Sequence, residues 1–310
     1  MIPSRLMATQ IVCIAGPTAS GKSARAIEEA LARNGEIISV DSRQVYRGLD
    51  IGTEKITTEE MRGVPHHLID IRNPNETYSA GDFIADATLL IKEITARGKL
   101  PILVGGTHFY FDALINGLPT GVDANPKLRE ELEMLSTEDL SARVRELDHR
   151  RASELDPQNR RRLIRALEII NSLGSVPPRG STTPPFGTRL NLVTNWIVID
   201  PQGEELRTRI NARLRSALER GLIDEVRRVR EEVGDTRLNE LGLEYKIIGE
   251  LLRTCPTPSV EQIEALLPTL SAKLWQYARR QKAWLRKLSL GGETPNLGVS
   301  PPSLPTTEAI

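Results

Sequence analysis

Short apolar runs alternate with helical patterns along the first part of the chain. The runs are "QIVCIAG", "EIISVD", "HHLIDI" and "LPILVGGT", and the spacing of apolar residues between them predicts helices over about residues 20–34 and 79–97. Strands that alternate with helices are typical of a parallel sheet with helices packed on both faces. This part of the chain is therefore predicted to form an α/β core.

The strand pattern stops near residue 123. From there to residue 189 the sequence is charged and helical in pattern, as in "KLREELEML" and "RRRLIRALEII", and it closes with the loop-like "GSVPPRGSTTPPFGT". The apolar run "LVTNWIVID" then predicts a strand that returns to the sheet. Three helices are expected after it, near residues 203–233, 240–252 and 259–289.

These patterns predict a core that is interrupted by one insertion. The core is expected to comprise residues 8–122 and 190–290, and residues 123–189 are expected to form a helical insertion domain. Pro, Gly, Ser and Thr dominate residues 291–310, so this tail is predicted to be disordered.

The composition narrows the classes of function. The chain has 310 residues and a formal net charge of zero, so any nucleic-acid surface must be a local patch. Two cysteines, Cys13 and Cys255, are too few for a disulfide framework or a metal cluster. His66 and His67 would point to opposite faces of an extended strand, so we interpret them as structural residues and not as a shared metal site.

Membrane segments and export signals are not evident in the sequence. No apolar run is long enough to cross a bilayer, and the N-terminal "MIPSRLMATQ" lacks the apolar core of a signal peptide. We therefore predict a cytoplasmic protein without membrane association, and we expect it to act as a monomer.

The stretch after the first predicted strand matches the phosphate-binding pattern G-x-x-x-x-G-K-[ST]. Glycines there let backbone N–H groups close around a diphosphate, the lysine reaches its outer oxygens, and the final hydroxyl can hold Mg²⁺. The order of strand, loop and helix favours a P-loop NTPase-like parallel sheet core, with the helical insertion and C-terminal helices attached to it. Whether the loop binds ATP or another diphosphate stays open. The predicted diphosphate-binding residues are Gly16, Pro17, Thr18, Ala19, Ser20, Gly21, Lys22 and Ser23, with Ser23 as the metal ligand.

Asp41 follows the second predicted strand, at the edge where open α/β sheets place their ligands. Three interpretations compete for it. A carboxylate that faces the diphosphate can accept a proton from an attacking nucleophile, it can hold Mg²⁺ as a Walker-B acid does, or it can cap the next turn.

The run "PILVGGTHFYFDALING" places Gly105, Gly106 and Thr107 after a later strand. Glycines at this edge permit the close approach of a flat or extended ligand, and Thr107 offers a hydroxyl. A plain turn from strand to helix, capped by Thr107, explains the same residues equally well.

The remaining candidate functional residues are mainly arginines that could bind anions. Arg209 and Arg213 share one helical face at i and i+4, and their helix follows a predicted sheet strand, so at least one is expected to reach an anion. The insertion is rich in arginine, which suits bidentate phosphate contacts. In the last helix we expect Trp284 in the core and Arg279, Arg280 and Lys282 exposed to a partner.

Taken together, the motifs resemble those of the bacterial tRNA dimethylallyltransferases, also called tRNA isopentenyltransferases. The resemblance covers about residues 9–288, and it is carried by "GPTASGKS", "ISVDSRQVYRGLDIGTEK", "PHHLIDI", "YSAGDF", "LPILVGGTHFY", "RRLIRALEI", "RTRINARL" and "ARRQKAWLR". It implies transfer of a dimethylallyl group from dimethylallyl diphosphate to the exocyclic amine of the adenine 3′ of the anticodon in tRNA, with Mg²⁺ as cofactor. It also implies that the loop holds the donor's diphosphate.

The resemblance implies roles for individual residues. Asp41 would be the general base, and Lys22 and Arg213 would stabilise the leaving diphosphate. The residues expected to contact the tRNA anticodon arm are Asp41, Ser42, Arg43, Gln44, Thr107, Arg129, Arg161, Arg162, Leu163, Ile164 and Arg165, together with Arg279 and Arg280 of the last helix.

Two segments depart from the family pattern. Leu274 and Trp275 stand where a threonine and an arginine are usual, and "LEYKII" after Gly242 replaces "GYKE". Three rival functions stay open: a small-molecule P-loop kinase, a transferase that acts on free adenine nucleotides, and a tRNA-binding protein without catalysis.

Overall fold

The computed structural model describes residues 9–118, 122, 124–178 and 192–290, so the tail predicted to be disordered lies outside the described residues. Within them, five strands form one parallel sheet in the order β3-β2-β4-β1-β5. The predicted α/β core is therefore confirmed. The strands are β1 (Thr9–Ala15), β2 (Gly35–Val40), β3 (His66–His67), β4 (Leu100–Gly105) and β5 (Leu192–Val198).

The central strands end in register. Ala15 of β1 and Val40 of β2 both pair with Gly105 of β4, so three neighbouring strands finish at the same level of one sheet edge. Every residue of β2 is buried, as expected for a strand covered on both faces, whereas the edge strand β5 alternates in exposure. The segments that follow these strands are therefore brought together.

Helices connect the strands and continue beyond the sheet. A capping box formed by Ser79 and Asp82 fixes the start of the third helix, where the sequence predicted it. In chain order, the described helices are α1 (Lys22–Arg33), α2 (Thr58–Met61), α3 (Ala80–Ala96), α4 (His108–Asn116), α5 (Pro126–Glu133), α6 (Thr137–Leu147), α7 (His149–Glu154), α8 (Arg160–Leu173), α9 (Gly203–Glu219), α10 (Leu222–Leu241), α11 (Leu243–Thr254) and α12 (Val260–Leu290).

The chain divides into two compact units. One comprises Met1–Phe111 with Leu190–Ile310 and contains the sheet, and the other comprises Asp112–Arg189. The second unit has its own hydrophobic core, to which α5, α6 and α8 contribute. It begins before the predicted insertion because the chain leaves the first unit within α4.

Two elements differ from the sequence-based expectations. The run "HHLIDI" gives a strand of only two residues, because Leu68 and Asp70 have positive φ angles of 63° and 56° that end the extended backbone. The helix expected near residues 203–233 is divided at Gly221, whose φ of 96° favours glycine, into α9 and α10. None of the helices in the described ranges is long and apolar enough to span a bilayer.

Candidate functional site

Three segments meet at the carboxyl edge of the sheet and line a cavity of about 930 Å³. They are the loop after β1, the turn after β2 and the turn after β4. The hydroxyl of Thr107 accepts a hydrogen bond of 3.1 Å from the backbone N–H of Ser42, which ties the last two segments together. All of the cavity's lining residues belong to the unit that contains the sheet.

The loop after β1 leaves the start of α1 open to a ligand. Gly21 adopts the left-handed conformation with a φ of 85°, and no side chain caps the helix. A Cβ on Gly16 would lie 2.5 Å from the Ser20 hydroxyl and 2.9 Å from the backbone oxygen of Ile199, so only glycine fits there. The uncapped N–H groups and the exposed Ser23 face the cavity, which is the geometry of an anion site at a helix N-terminus.

Lys22 has an electrostatic environment suited to an anion. Its ammonium donates a hydrogen bond of 3.3 Å to the backbone oxygen of Pro17. Burial lowers the pKa of Lys22 to about 8, Asp41 opposes this shift, and the nearby charge of Arg213 adds to it. A second negative charge in the cavity would raise this pKa again and stabilise the charged form of the amine.

Arg213 is held over the loop by acceptors from three segments. Its guanidinium donates hydrogen bonds to the Thr18 hydroxyl, to the backbone oxygen of Gly52 at 3.1 Å and to the carboxylate of Glu244 at 3.2 Å. Burial raises the pKa of Glu244, whereas the charge of Arg213 lowers it. Glu244 is a site residue that the sequence motifs did not indicate.

The second arginine of the pair, Arg209, lies behind the loop. It donates a hydrogen bond of 3.3 Å to the backbone oxygen of Ser20 and pairs with Glu205 on its own helix at 2.6 Å. Arg213 therefore lies at the loop where an anion would bind, so its anion contact stays a prediction, and Arg209 supports the loop's backbone.

Asp41 caps its turn with one carboxylate oxygen and leaves the other available. Oδ1 accepts hydrogen bonds from the backbone N–H groups of Arg43 at 2.8 Å and Gln44 at 3.3 Å. Among the described residues, no hydrogen-bond donor contacts Oδ2, and Asp41 lines the cavity. The turn-cap interpretation is correct for one oxygen, and it does not prevent the other from accepting a proton.

Gln44, a predicted tRNA contact, has its side chain engaged within the protein. Its amide accepts a hydrogen bond from Ser39 at 3.2 Å and donates to the backbone oxygens of Thr53 and Glu54. These bonds join the turn after β2 to the segment that follows it. The Gln44 side chain therefore stabilises the wall of the cavity.

Gly105 and Gly106 are required by the protein's own packing. A Cβ on Gly105 would lie 2.0 Å from the backbone oxygen of Val40, and one on Gly106 would lie 2.5 Å from the amide nitrogen of Gln281. The buried Gln281 amide accepts a hydrogen bond of 2.9 Å from the Thr18 N–H and donates one of 3.0 Å to the Gly106 oxygen. These close contacts account for both glycines within a plain strand-to-helix turn, whereas the Thr107 hydroxyl bonds to the Ser42 N–H.

Sequence reasoning missed Gln281, although one signal pointed to it. Leu274, Ala278, Gln281 and Leu285 are buried at helical spacing on α12. A glutamine within an otherwise apolar face needs partners for its amide, because burial without hydrogen bonds is costly.

The insertion arginines fall into distinct classes. Arg129 pairs with the fully buried carboxylate of Glu168 through two hydrogen bonds, of 2.8 and 3.0 Å, and Arg165 approaches the same carboxylate at 3.2 Å. The side chains of both arginines remain 47% and 36% exposed, respectively. Arg161 and Arg162 are exposed at the start of α8.

Leu163 and Ile164 lie in the hydrophobic core of the insertion, with exposures of 1% and 4%. Their side chains are therefore packing residues, and they cannot serve as the tRNA contacts that the resemblance suggested. They fix the orientation of α8 and, with it, the direction in which its arginines project.

The last helix presents a smaller cationic strip than expected. Arg279 and Arg280 are exposed, but Lys282 pairs with Asp200 at 2.7 Å and its side chain is only 13% exposed, so its expected availability was wrong. Trp275 lies against Gly203 and under the Arg207 guanidinium, 4.9 Å from the ring centroid.

Residues interpreted as structural have structural partners. Trp284 stacks on His108 with ring centroids 4.5 Å apart but is only half-buried, so it lies at the edge of the core and not fully within it as expected. His67 contacts the Glu36 carboxylate at 2.7 Å, and the Nδ1 of His66 lies 2.8 Å from the backbone oxygen of Val64. The two histidines therefore have separate partners.

Comparisons with known proteins are consistent with one another. A family model described as IPP transferase matches residues 44–288. A tRNA dimethylallyltransferase from Streptococcus sanguinis is 40% identical over 287 residues, which cover 90% of each chain. A crystal structure of the tRNA isopentenylpyrophosphate transferase from Bacillus halodurans is 40% identical with a TM-score of 0.63, covering 90% of this chain and 87% of that one.

A more distant structure extends the comparison. A eukaryotic dimethylallyltransferase, described as acting on tRNA, is 28% identical with a TM-score of 0.75, and the match covers 89% of this chain and 70% of that chain.

Proposed function

This chain belongs to the IPP transferase family, and we propose that it is a tRNA dimethylallyltransferase that modifies the adenine 3′ of the anticodon. The donor is dimethylallyl diphosphate and the acceptor is the exocyclic amine of the base, so the product is N6-dimethylallyladenosine. The observation that carries this proposal is that an uncapped helix N-terminus and an available carboxylate oxygen line the same cavity. Nucleophilic substitution at an allylic diphosphate needs both.

The loop after β1 is the proposed diphosphate site. Its backbone N–H groups, the Lys22 ammonium and the Arg213 guanidinium supply donors and positive charge where the leaving group gains negative charge. These donors are already held by the fold, so little reorganisation accompanies the reaction.

Magnesium fits the donor set of this site. The exposed Ser23 hydroxyl would hold the ion together with diphosphate oxygens and water, since Mg²⁺ usually keeps few protein ligands. When bound, the ion neutralises charge on the diphosphate. Asp41 follows β2, which β4 separates from β1, and this placement favours the base role over a direct role in holding the metal.

Asp41 is the proposed general base. The adenine nitrogen attacks the first carbon of the dimethylallyl group, the bond from that carbon to oxygen breaks, and its electron pair leaves with the diphosphate. Oδ2 of Asp41 takes the amine proton, while the bonds from Arg43 and Gln44 to Oδ1 keep the carboxylate oriented. The base must leave its stack to enter the cavity, and bases of a single-stranded loop do so at low cost.

The tRNA is proposed to contact exposed cations outside the diphosphate site. Arg161 and Arg162 in the insertion and Arg279 and Arg280 on α12 are exposed and suited to phosphate. Arg129 and Arg165 keep partly exposed guanidiniums after pairing with Glu168 and are proposed phosphate contacts of the insertion as well.

Diphosphate release from dimethylallyl diphosphate tests this assignment against its rivals. With Mg²⁺ and unmodified tRNA, release should proceed without ATP, and AMP should not replace tRNA. A requirement for ATP would indicate a kinase. Equal turnover with AMP would move the protein to the class that modifies free nucleotides.

A further inference from the structure

Glu225 of α10 binds the backbone of a loop that the proposed mechanism does not use. Its Oε2 accepts hydrogen bonds from the N–H groups of Asp50 at 3.0 Å and Ile51 at 2.8 Å. Its Oε1 accepts bonds from the N–H of Gly52 at 2.9 Å and from the hydroxyl of Tyr245 at 2.6 Å. Glu225 is 3% exposed, so one buried carboxylate satisfies four donors.

The loop held by Glu225 contacts Arg213 directly. The backbone oxygen of Gly52 accepts the 3.1 Å hydrogen bond from the Arg213 guanidinium, and the N–H of the same residue is bound to Glu225. A Cβ on Gly52 would lie 2.8 Å from the Tyr245 ring, so the loop is packed against α11 as well. The position of the Gly52 oxygen is therefore set from two sides.

Two further acceptors complete the environment of the guanidinium. Thr18 belongs to the diphosphate loop, and Glu244 precedes Tyr245 on α11. Glu54 is near the same guanidinium, at 3.7 Å. Because Glu225 holds both the loop and Tyr245, it links two of the segments that fix Arg213.

We propose that Glu225 is a positioning residue for catalysis, which acts by holding Gly52 so that Arg213 is oriented toward the diphosphate. This inference rests on the proposed role of Arg213 in binding the leaving group. In a Glu225 variant the Arg213 guanidinium would still be charged but displaced, and small displacements of catalytic groups lower the reaction rate strongly.

Glu225→Gln is a targeted perturbation. An amide has one oxygen, which can keep the bonds to Asp50 and Ile51, and its NH₂ group can donate to the Tyr245 oxygen. That NH₂ group then faces the N–H of Gly52, which loses its acceptor. The variant therefore frees the residue that holds Arg213 and leaves most of the network intact.

The experiment measures kcat and KM for dimethylallyl diphosphate, KM for tRNA and thermal unfolding for Glu225→Gln, Arg213→Ala and the double variant. We expect Glu225→Gln to lower kcat/KM for dimethylallyl diphosphate roughly 10- to 100-fold. KM for tRNA should stay near the wild-type value. In the Arg213→Ala background the same substitution should change kcat/KM by less than about 2-fold, since residues that act through one another are not additive.

Glu36→Gln is the matched structural control. Glu36 is also buried, lies in β2 and pairs with Arg97 at 2.7 Å and Lys99 at 3.2 Å. The Glu36→Gln variant should have a lower unfolding temperature than the wild type and unchanged kinetics for dimethylallyl diphosphate. If Glu225→Gln does not fold, Gly52→Ala is the second variant. Its methyl group would be too close to the Tyr245 ring, so the Gly52 carbonyl would shift and the same kinetic pattern should result.

The outcomes separate the inference from the function on which it rests. An equal loss from Glu225→Gln with and without Arg213, or no loss beyond that of Glu36→Gln, would overturn the positioning role alone. If Arg213→Ala itself left kcat/KM unchanged, the proposed diphosphate role of Arg213 would fail, and the positioning role with it.

Discussion

The side-chain oxygen of Gln281, on the last helix, accepts a hydrogen bond of 2.9 Å from the backbone N–H of Thr18 in the diphosphate loop. The same amide donates to the oxygen of Gly106 at 3.0 Å. One buried side chain from the C-terminal part of the chain therefore joins the loops that follow β1 and β4.

Replacement of Gln281 by leucine should weaken both the fold and the donor site. It leaves the buried Gly106 oxygen without this donor, at a cost of about 1–3 kcal/mol in the free energy of unfolding, and it removes the acceptor of the partly buried Thr18 N–H. The loop around Thr18 should also loosen, so KM for dimethylallyl diphosphate should rise. Urea unfolding and steady-state kinetics measure the two effects.

Gln276→Leu is the control, because Gln276 lies exposed on the same helix. It should alter neither quantity. Wild-type unfolding and kinetics in Gln281→Leu would show that the bridge has no role.

The lowered pKa of Lys22 predicts that the reaction with dimethylallyl diphosphate slows at alkaline pH. Its pKa is lowered to about 8, so the free enzyme carries the charged amine below this pH and loses it above. Consequently kcat/KM for dimethylallyl diphosphate, which reports the free enzyme, should fall as the pH rises through about 8. A pH profile from 6 to about 10 covers this range.

Lys22→Arg keeps a positive charge over this range and serves as the comparison. Its activity should be lower because arginine is larger, but the alkaline decline should disappear. A decline of the same shape in the variant would assign the titration to another group.

Asp41→Asn separates the base role from the turn cap. Asparagine retains an oxygen for the Arg43 and Gln44 N–H groups, so the turn should persist, but the amide is not basic. We expect turnover to fall roughly 10²- to 10⁴-fold with little change in tRNA affinity. Recovery of turnover at high Mg²⁺ would favour the metal-binding interpretation instead.

Exposed arginines of α8 should determine the salt dependence of tRNA binding. Arg161→Glu with Arg162→Glu should weaken binding and reduce the slope of log affinity against log salt by about one unit for each arginine–phosphate pair that the variant removes. KM for dimethylallyl diphosphate should not change. Filter retention across a salt series gives the slope.

Arg145→Glu is a control from the same unit, since Arg145 is also exposed. Arg165 is left in place because a glutamate there would face the buried Glu168 carboxylate. Equal slopes for the wild type and the Arg161 and Arg162 variant would show that these arginines do not contact phosphate.

The sequence predicted those features that depend on local pattern. Apolar runs and the G-x-x-x-x-G-K-[ST] spacing identified the sheet and the loop of Lys22, because strand burial and anion binding at a helix start are local properties. Asp41 was identified because strand ends share one sheet edge.

The remaining site residues come from distant segments. Gln281, Glu244 and Glu225 reach the cavity walls from helices that follow β5, and their partners are backbone groups more than a hundred residues earlier or arginines on other helices. Nothing in their local sequence specifies these contacts. Arg129 and Arg165 likewise could not be distinguished from solvated cations until the buried Glu168 was placed.

Mass spectrometry of the product detects transfer of the dimethylallyl group to tRNA without an intermediate step of inference. Wild-type protein is incubated with Mg²⁺, dimethylallyl diphosphate and unmodified tRNA, the tRNA is digested to nucleosides, and Asp41→Asn is run in parallel. We expect N6-dimethylallyladenosine, mapped by nuclease fragments to the position 3′ of the anticodon, with strongly reduced yield in the variant. Unmodified adenosine at that position after incubation with folded wild-type protein would contradict this assignment.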